Sequence, residues 1–320
     1  MNHLQKIKQT IMYLPPKKMN FLPMMNLPKT MFKPQRIKIV EVSPRDGLQN
    51  IKDFIPTNIK INFIKKLSQV GFSSIEVASF VSPKWVPQMA DNSEVLDGIK
   101  DLVLTNDPKY PVLVPNITGY NNALISGAKT IAVFISCSEG FSKANTNKTI
   151  HENLEIIKAI CKKAKEDNVN VRGYVSCVAG CPYDGNVNIS DIVNISKKLI
   201  AMGCYEISLG DTIGIGTPTT ISKLLDEIKQ EIPIENIAVH FHDTYGNAIN
   251  NIRIAIDKGI TVIDSSIGGL GGCPYAKGAP GNVDTEKVVN LLNELNIYSG
   301  INMEKLLIAK NYILSNIKKN

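Results

Sequence analysis

The sequence predicts an α/β fold: a (β/α)8 barrel of the TIM type with an added C-terminal helix. Three observations carry this expectation. From residue 37 onward, short β-rich runs alternate with helical patterns, and such alternation means parallel strands joined by crossover helices. The β/α repeats number eight, which is the number that closes a barrel. The first turn reads Ser43-Pro44-Arg45-Asp46-Gly47-Leu48-Gln49-Asn50, not the Gly-x-Gly-x-x-Gly that a doubly wound open sheet wants there.

The strand-like runs are residues 37–42, 75–78, 111–115, 130–135, 171–176, 204–209, 237–241 and 261–264. Amphipathic stretches between them include 57–70, 93–104, 149–167, 189–202, 217–231 and 248–258. Gly71, Gly127, Gly203 and Gly259 each follow a helical stretch and precede the next strand, where a helix C-cap belongs. A last amphipathic stretch, 303–317, supplies the added helix. No linker interrupts this pattern, so residues 37–320 read as one barrel domain.

Charge separates this body from what precedes it. Residues 1–36 contain Lys6, Lys8, Lys17, Lys18, Lys29, Lys33 and Arg36, five prolines and no acidic residue. The formal net charge of the chain is +7, so the barrel portion is neutral. A neutral body does not fit a nucleic-acid partner. No apolar run reaches the roughly 18 residues of a membrane helix, so no membrane partner is expected. The acid-free leader is similar to an organelle transit peptide, which predicts the mitochondrial matrix; a plain disordered tail on a cytoplasmic protein is the alternative. Cys177 and Cys181, the one close pair of the six cysteines, lack zinc or redox spacing.

Barrel enzymes work at the carboxyl ends of their strands. Arg45 and Asp46 follow strand one, Glu76 lies on strand two, and strand six runs into Asp211. Strand seven ends His240-Phe241-His242-Asp243. Residues two apart on a strand face the same way, so both imidazoles share a side. Two histidines plus a carboxylate suit a divalent metal, with Asp46 as the carboxylate; Asp243 falls on the other face. An Arg45 guanidinium at a strand end can stabilise a developing oxyanion. Glu76 is costly to bury without a partner, and orienting Arg45 gives it one. Asp211 also reads as a cap for the following helix. The glycine-rich stretch 268–272 reads as a mobile flap carrying Cys273, an acid or nucleophile if exposed. Beyond it, the amide oxygen of Asn282 can complete a hard-metal site.

Five blocks then point to one family. They are Ser43–Asn50, the Ser-Phe-Val-Ser-Pro-Lys-Trp-Val-Pro-Gln-Met run from Ser79, Arg-Gly-Tyr-Val-Ser-Cys from Arg172, His-Phe-His-Asp-Thr-Tyr-Gly-Asn from His240, and Gly-Gly-Cys-Pro ending at Pro274. In register over about residues 37–317, the chain resembles the 3-hydroxy-3-methylglutaryl-CoA lyases. The resemblance implies cleavage of hydroxymethylglutaryl-CoA to acetyl-CoA and acetoacetate, with Mg²⁺ or Mn²⁺ as cofactor and a homodimer as assembly. It implies Asp46, His240, His242 and Asn282 as metal ligands, and Arg45, Asp46, Glu76, His240, Cys273 and Glu286 as catalytic residues. It also implies Arg45, Arg172 and Asp211 at the substrate. The general base stays open between Asp46 and a histidine. Two other readings are a Claisen-type condensing synthase of the same barrel group and a non-catalytic metal- or CoA-ester-binding protein.

Overall fold

The computed structural model describes residues 36–105, 107, 109–271 and 281–317. The leader up to residue 35, and Cys273 with the rest of its loop, lie outside the described residues. Arg36, assigned from the sequence to the leader, pairs with Tyr298.

Nine strands form one sheet: β1 (Lys38–Glu41), β2 (Ser74–Ile75), β3 (Ala78–Ser79), β4 (Val112–Leu113), β5 (Thr130–Ser136), β6 (Asn170–Ser176), β7 (Cys204–Asp211), β8 (Ile237–Phe241) and β9 (Val262–Ser265). All neighbours run parallel, in the order β2-β1-β9-β8-β7-β6-β5-β4-β3. The two ends of that order are consecutive pieces of one chain run. The Glu76 N–H reaches the Glu41 carbonyl at 2.9 Å on one side, and the Val77 N–H reaches the Pro111 carbonyl at 3.0 Å on the other. The second expected strand is therefore one strand broken at Glu76 and Val77, and the sheet closes as the expected eight-stranded barrel.

Side-chain alternation sorts each strand into two faces. Ile37, Ile39, Val171, Val175, Ile207, Leu209, Ile237, Val239, Phe241 and Ile263 join the large core between strands and helices. Val40, Val42, Ala238 and Val262 form a separate apolar layer, as do Leu113, Ala132 and Tyr174; these alternate with the first set and fill the barrel interior. By the same count Arg172, Tyr174, Ser208, His240, His242 and Asp264 point inward. Asp211 counts with Ile207 and Leu209 and points outward.

The helical stretches form close to where periodicity places them, including Thr57–Leu67, Ile150–Glu166, Ile189–Met202, Pro218–Ile228, Ala248–Asp257 and the added Met303–Ile317. Thr149 closes its helix with a reciprocal capping box to Glu152, and Gly203 ends its helix at φ 106°. The stretch 93–104 is two helices, Asn92–Gly98 and Lys100–Thr105. A Cβ on Gly98 would come within 2.3 Å of Ile61 Cδ1, so the close approach of two helices explains the glycine at the break. The helical stretch before Gly127 is Ile117–Ile125, and two further helices, Glu139–Thr146 and Thr285–Glu294, lie outside the stretches named from periodicity. Each starts at a short polar cap, since Asn116, Ser138 and Asp284 accept backbone N–H groups.

Candidate active site and metal centre

The exit of β1 builds the first half of the site. Pro44 and Gly47 do not continue the strand; the chain winds into a wide turn, Ser43–Gly47. The Val42 carbonyl there receives both the Asp46 N–H at 2.8 Å and the Gly47 N–H at 3.2 Å. Wide turns of this kind often occur at functional sites. Gly47 is needed, because a Cβ there would meet Ser266 Oγ at 2.9 Å. The turn places Arg45 and Asp46 side by side over the barrel mouth.

Arg45 is buried and forked between two carboxylates. Its Nη1 donates to Asp46 Oδ1 and its Nη2 to Glu76 Oε2, each at 2.6 Å. Such bridging fits the planar geometry of a guanidinium. Tyr174 completes the arrangement. Its hydroxyl donates to Glu76 Oε2 at 3.2 Å and accepts from Arg172 Nη1 at 2.8 Å. Its ring lies near both guanidinium groups, with centroid distances of 5.7 Å to Arg45 and 4.9 Å to Arg172.

The end of β8 builds the second half. His240 and His242 share the inward face, with ring centroids 5.6 Å apart. One donor atom each from Asp46, His240 and His242 lies within 4.8 Å of the others. Among the described residues this is the one such group of three or more. Burial works to raise the Asp46 carboxyl, but Arg45, His240, the Asn282 hydrogen bond and His242 bring it down to about 2. Burial, then His240, pushes His242 down to about 4, against the opposing pull of Asp46. At neutral pH this leaves Asp46 as a carboxylate and His242 as a neutral imidazole, the forms that ligate. His242 Nδ1 is buried with no hydrogen-bond partner among the described residues. One hard oxygen and two imidazoles fit a divalent cation.

Asn282 sits beside this group. Its main chain bridges to His242, and its amide nitrogen donates to Asp46 Oδ2 at 2.6 Å and to the Leu270 carbonyl at 3.1 Å. To offer oxygen to a cation the amide must turn over. Gly271 is required next to it, since a Cβ there would fall 2.6 Å from Asn282 Nδ2.

Three expected site residues are placed otherwise. Arg172 is wholly buried in the barrel interior. It is held by Asp264 at 2.7 Å and 3.0 Å, by Glu206 at 2.7 Å and by Tyr174. Its donors are engaged by the protein, and Tyr174 and Asp264 link it to the site. Asp211, on the outward face of β7, accepts the Gly216 N–H at 2.8 Å and holds the following turn, as a cap would. Burial raises its carboxyl to about 6, against bonds from Gly216, Ile215 and Gly214. Glu286 lies in the first turn of helix Thr285–Glu294 and pairs with Lys310 on the last helix. Among the described residues it joins none of the contacts around Asp46 and the histidines, because its helix turns that carboxylate toward Met303–Ile317. Asp243, as expected, faces away; it accepts the Ala248 N–H at 3.2 Å and pairs with Lys287 at 2.8 Å.

The sequence reading missed Tyr174, Asp264 and Glu41. Glu41 is fully buried at the end of β1. Its Oε1 accepts from Ser43 N and Ile267 N at 3.0 Å each, and its Oε2 from Thr285 Oγ1 at 2.8 Å. One carboxyl thus ties together the chain segments leading to Arg45, to the glycine loop and away from Asn282. Burial raises it from 4.5 to about 7 against these bonds. Between those two values the folded chain holds a proton there that the unfolded chain has lost. The associated stability is therefore full below about pH 4.5 and lost as pH rises to about 7. Glu41→Gln is expected to remove this slope and to stabilise the protein at pH 8 by an amount on the order of 3 kcal/mol. Urea unfolding at pH 5 and pH 8 checks this, and an unchanged pH slope would exclude Glu41 as the titrating group.

With this geometry in view, similarity to known proteins becomes informative. A family model described as HMGL-like matches residues 36–313. The chain is 52% identical over 280 residues to the mitochondrial hydroxymethylglutaryl-CoA lyase of Pongo abelii, covering 88% of this chain and 85% of that one. It is 51% identical over 286 residues to the cytoplasmic 3-hydroxy-3-methylglutaryl-CoA lyase of Homo sapiens, covering 89% and 76%. The crystal structure of the HMG-CoA lyase from Brucella melitensis superposes with a TM-score of 0.86 at 48% identity, covering 89% of this chain and 99% of that one. Family match, identity and fold agree across nearly the whole barrel, and the chain belongs to the HMGL-like family.

Proposed function

We propose that the chain is a carbon–carbon lyase that cleaves 3-hydroxy-3-methylglutaryl-CoA to acetyl-CoA and acetoacetate. The observation that carries this reading is the grouping of Asp46, His240 and His242 beside the Arg45 fork, in a family whose named relatives are lyases of that thioester. The tertiary hydroxyl loses a proton, the bond between the thioester α-carbon and the carbinol carbon breaks, and its electron pair becomes a thioester enolate. The carbinol carbon becomes the ketone of acetoacetate, and a proton returned to the enolate carbon gives acetyl-CoA.

Asp46, His240 and His242 would hold the cation, Mg²⁺ or Mn²⁺, with Asn282 beside them. When bound, a divalent cation supplies Lewis acidity that eases deprotonation of a hydroxyl. Arg45 is positioned to hold the enolate oxygen, since Glu76 and Asp46 fix its plane from two sides. A preorganised donor of this kind is worth about 10²–10³ in rate. Tyr174 positions Glu76, and through it Arg45. Cys273, outside the described residues, takes the role of returning the proton or shielding the site.

The test incubates the purified full chain with hydroxymethylglutaryl-CoA and measures acetoacetate, with and without EDTA and added Mg²⁺ or Mn²⁺. Product that vanishes with EDTA and returns with metal is expected. No acetoacetate at saturating metal under reducing conditions would overturn the reading. We further place the protein in the mitochondrial matrix as a homodimer, with residues 1–36 as its import signal. Sedimentation and imaging of a fluorescent fusion check those two statements.

A further inference from the structure

Behind the histidines, the barrel interior holds a charged group whose arrangement the cleavage chemistry does not explain. Asp264, inward on β9, is buried in a ring of donors. Arg172 grips it with Nη2 to Oδ1 at 2.7 Å and Nη1 to Oδ2 at 3.0 Å, and Ser208 Oγ donates to Oδ2 at 2.8 Å. Two guanidinium nitrogens and a hydroxyl thus donate to its two oxygens, an arrangement that fits the carboxylate form. The remaining neighbour is His240, whose Nδ1 lies 3.3 Å from Asp264 Oδ2.

An ionised carboxylate can only accept. The hydrogen of a neutral His240 ring therefore belongs on Nδ1, and the lone pair on Nε2. That second nitrogen faces the site, 4.0 Å from Asp46 Oδ2. His242 is treated differently, since its buried Nδ1 has no hydrogen-bond partner among the described residues. Arg172, already engaged by Glu206 and Tyr174, keeps Asp264 ionised and in place.

We propose that Asp264 is a positioning residue that holds His240 as its Nδ1–H tautomer with Nε2 presented to the cation, leaving His242 the unanchored histidine. Partners of this kind orient ligating histidines and raise their basicity. The inference rests on reading Asp46, His240 and His242 as the metal site.

The chain has only four histidines, so long-range ¹H–¹⁵N spectra of the ¹⁵N-histidine-labelled full chain at pH 8 can resolve them. His240→Gln serves for assignment. The expected spectrum has His240 protonated on Nδ1, with Mg²⁺ shifting Nε2. A His240 protonated on Nε2 would overturn the proposal, whereas no Mg²⁺ effect on either His240 or His242 would overturn the metal-site reading beneath it. A second measurement uses Arg172→Gln with Asp264→Asn, which removes both charges of the fully buried pair and leaves only the partly exposed Glu206 without its cation. Its Mn²⁺ dissociation constant, read by electron paramagnetic resonance, is expected to rise about 10–100-fold. The KM for the acyl-CoA at saturating Mn²⁺ should move much less. Wild-type Mn²⁺ affinity in that folded variant would count against Asp264, and if the variant fails to fold the wild-type tautomer decides alone.

Discussion

Arg45→Lys lowers kcat by at least about 10²-fold in the expected result, with the Mn²⁺ dissociation constant little changed. The reason is geometric. Arg45 reaches Asp46 and Glu76 from two different nitrogens, both at 2.6 Å, and this double anchor fixes the plane of the guanidinium. A lysine keeps the charge but carries it as a single point on a flexible stem. It can hold one carboxylate closely, and then has no fixed direction in which to offer a remaining donor to an enolate oxygen. The loss should fall on kcat more than on KM, because the interaction is one made as charge develops. Steady-state kinetics at saturating metal measure it. A near-normal kcat would take Arg45 out of the proposed role.

Arg172→Met is expected to be the most destabilising single change in the barrel interior, at about 3–5 kcal/mol. Methionine fills much of the space, so cavity formation is the smaller part of the cost. The larger part is what stays behind. Asp264 is wholly buried and Glu206 partly so; both lose the cation that holds them at 2.7 Å. Removing one partner of a buried ion pair is far costlier than replacing the pair. For a domain of this size the melting temperature should fall on the order of 10 °C, and urea unfolding of the metal-free chain gives the free energy. A loss under about 1 kcal/mol would mean that water or another cation already neutralises Asp264.

The two predictions draw on parts of the site that were unequally legible in the sequence. Arg45, Asp46, His240 and His242 could be found because a strand has period two and a barrel gathers strand ends at one mouth. Glu76 could be found because a carboxylate inside an apolar strand demands a partner. The same argument applies to Glu41 and to Asp264, each set in an apolar strand, and it would have found both. Tyr174 stands two residues from Arg172 on one strand, and alternation puts the two side chains on one face.

Other features had no signal of that strength. Helices Glu139–Thr146 and Thr285–Glu294 are short and start at single polar caps, Ser138 and Asp284, so their apolar faces are too brief to read as a period. The break in the second strand depends on which neighbours Glu76 and Val77 bond to, and those lie on strands far apart in the chain. Glu286 carries a chemically suitable group, yet its position on a helix surface pairs it with Lys310.

The sequence by itself determined the barrel, the order of its parallel strands and which strand ends carry acid, base and imidazole. These follow from local periodicity, turn residues and the cost of burying charge, all properties of short stretches. Only the tertiary structure decided the partners. Arg172 belongs to Asp264 and Asp211 to the turn at Gly216, while His240 has a carboxylate behind it and His242, among the described residues, has none. Such pairings depend on register and closure across residues as distant as Arg172 and Asp264, where shifting one strand by one residue turns every side chain to the other face.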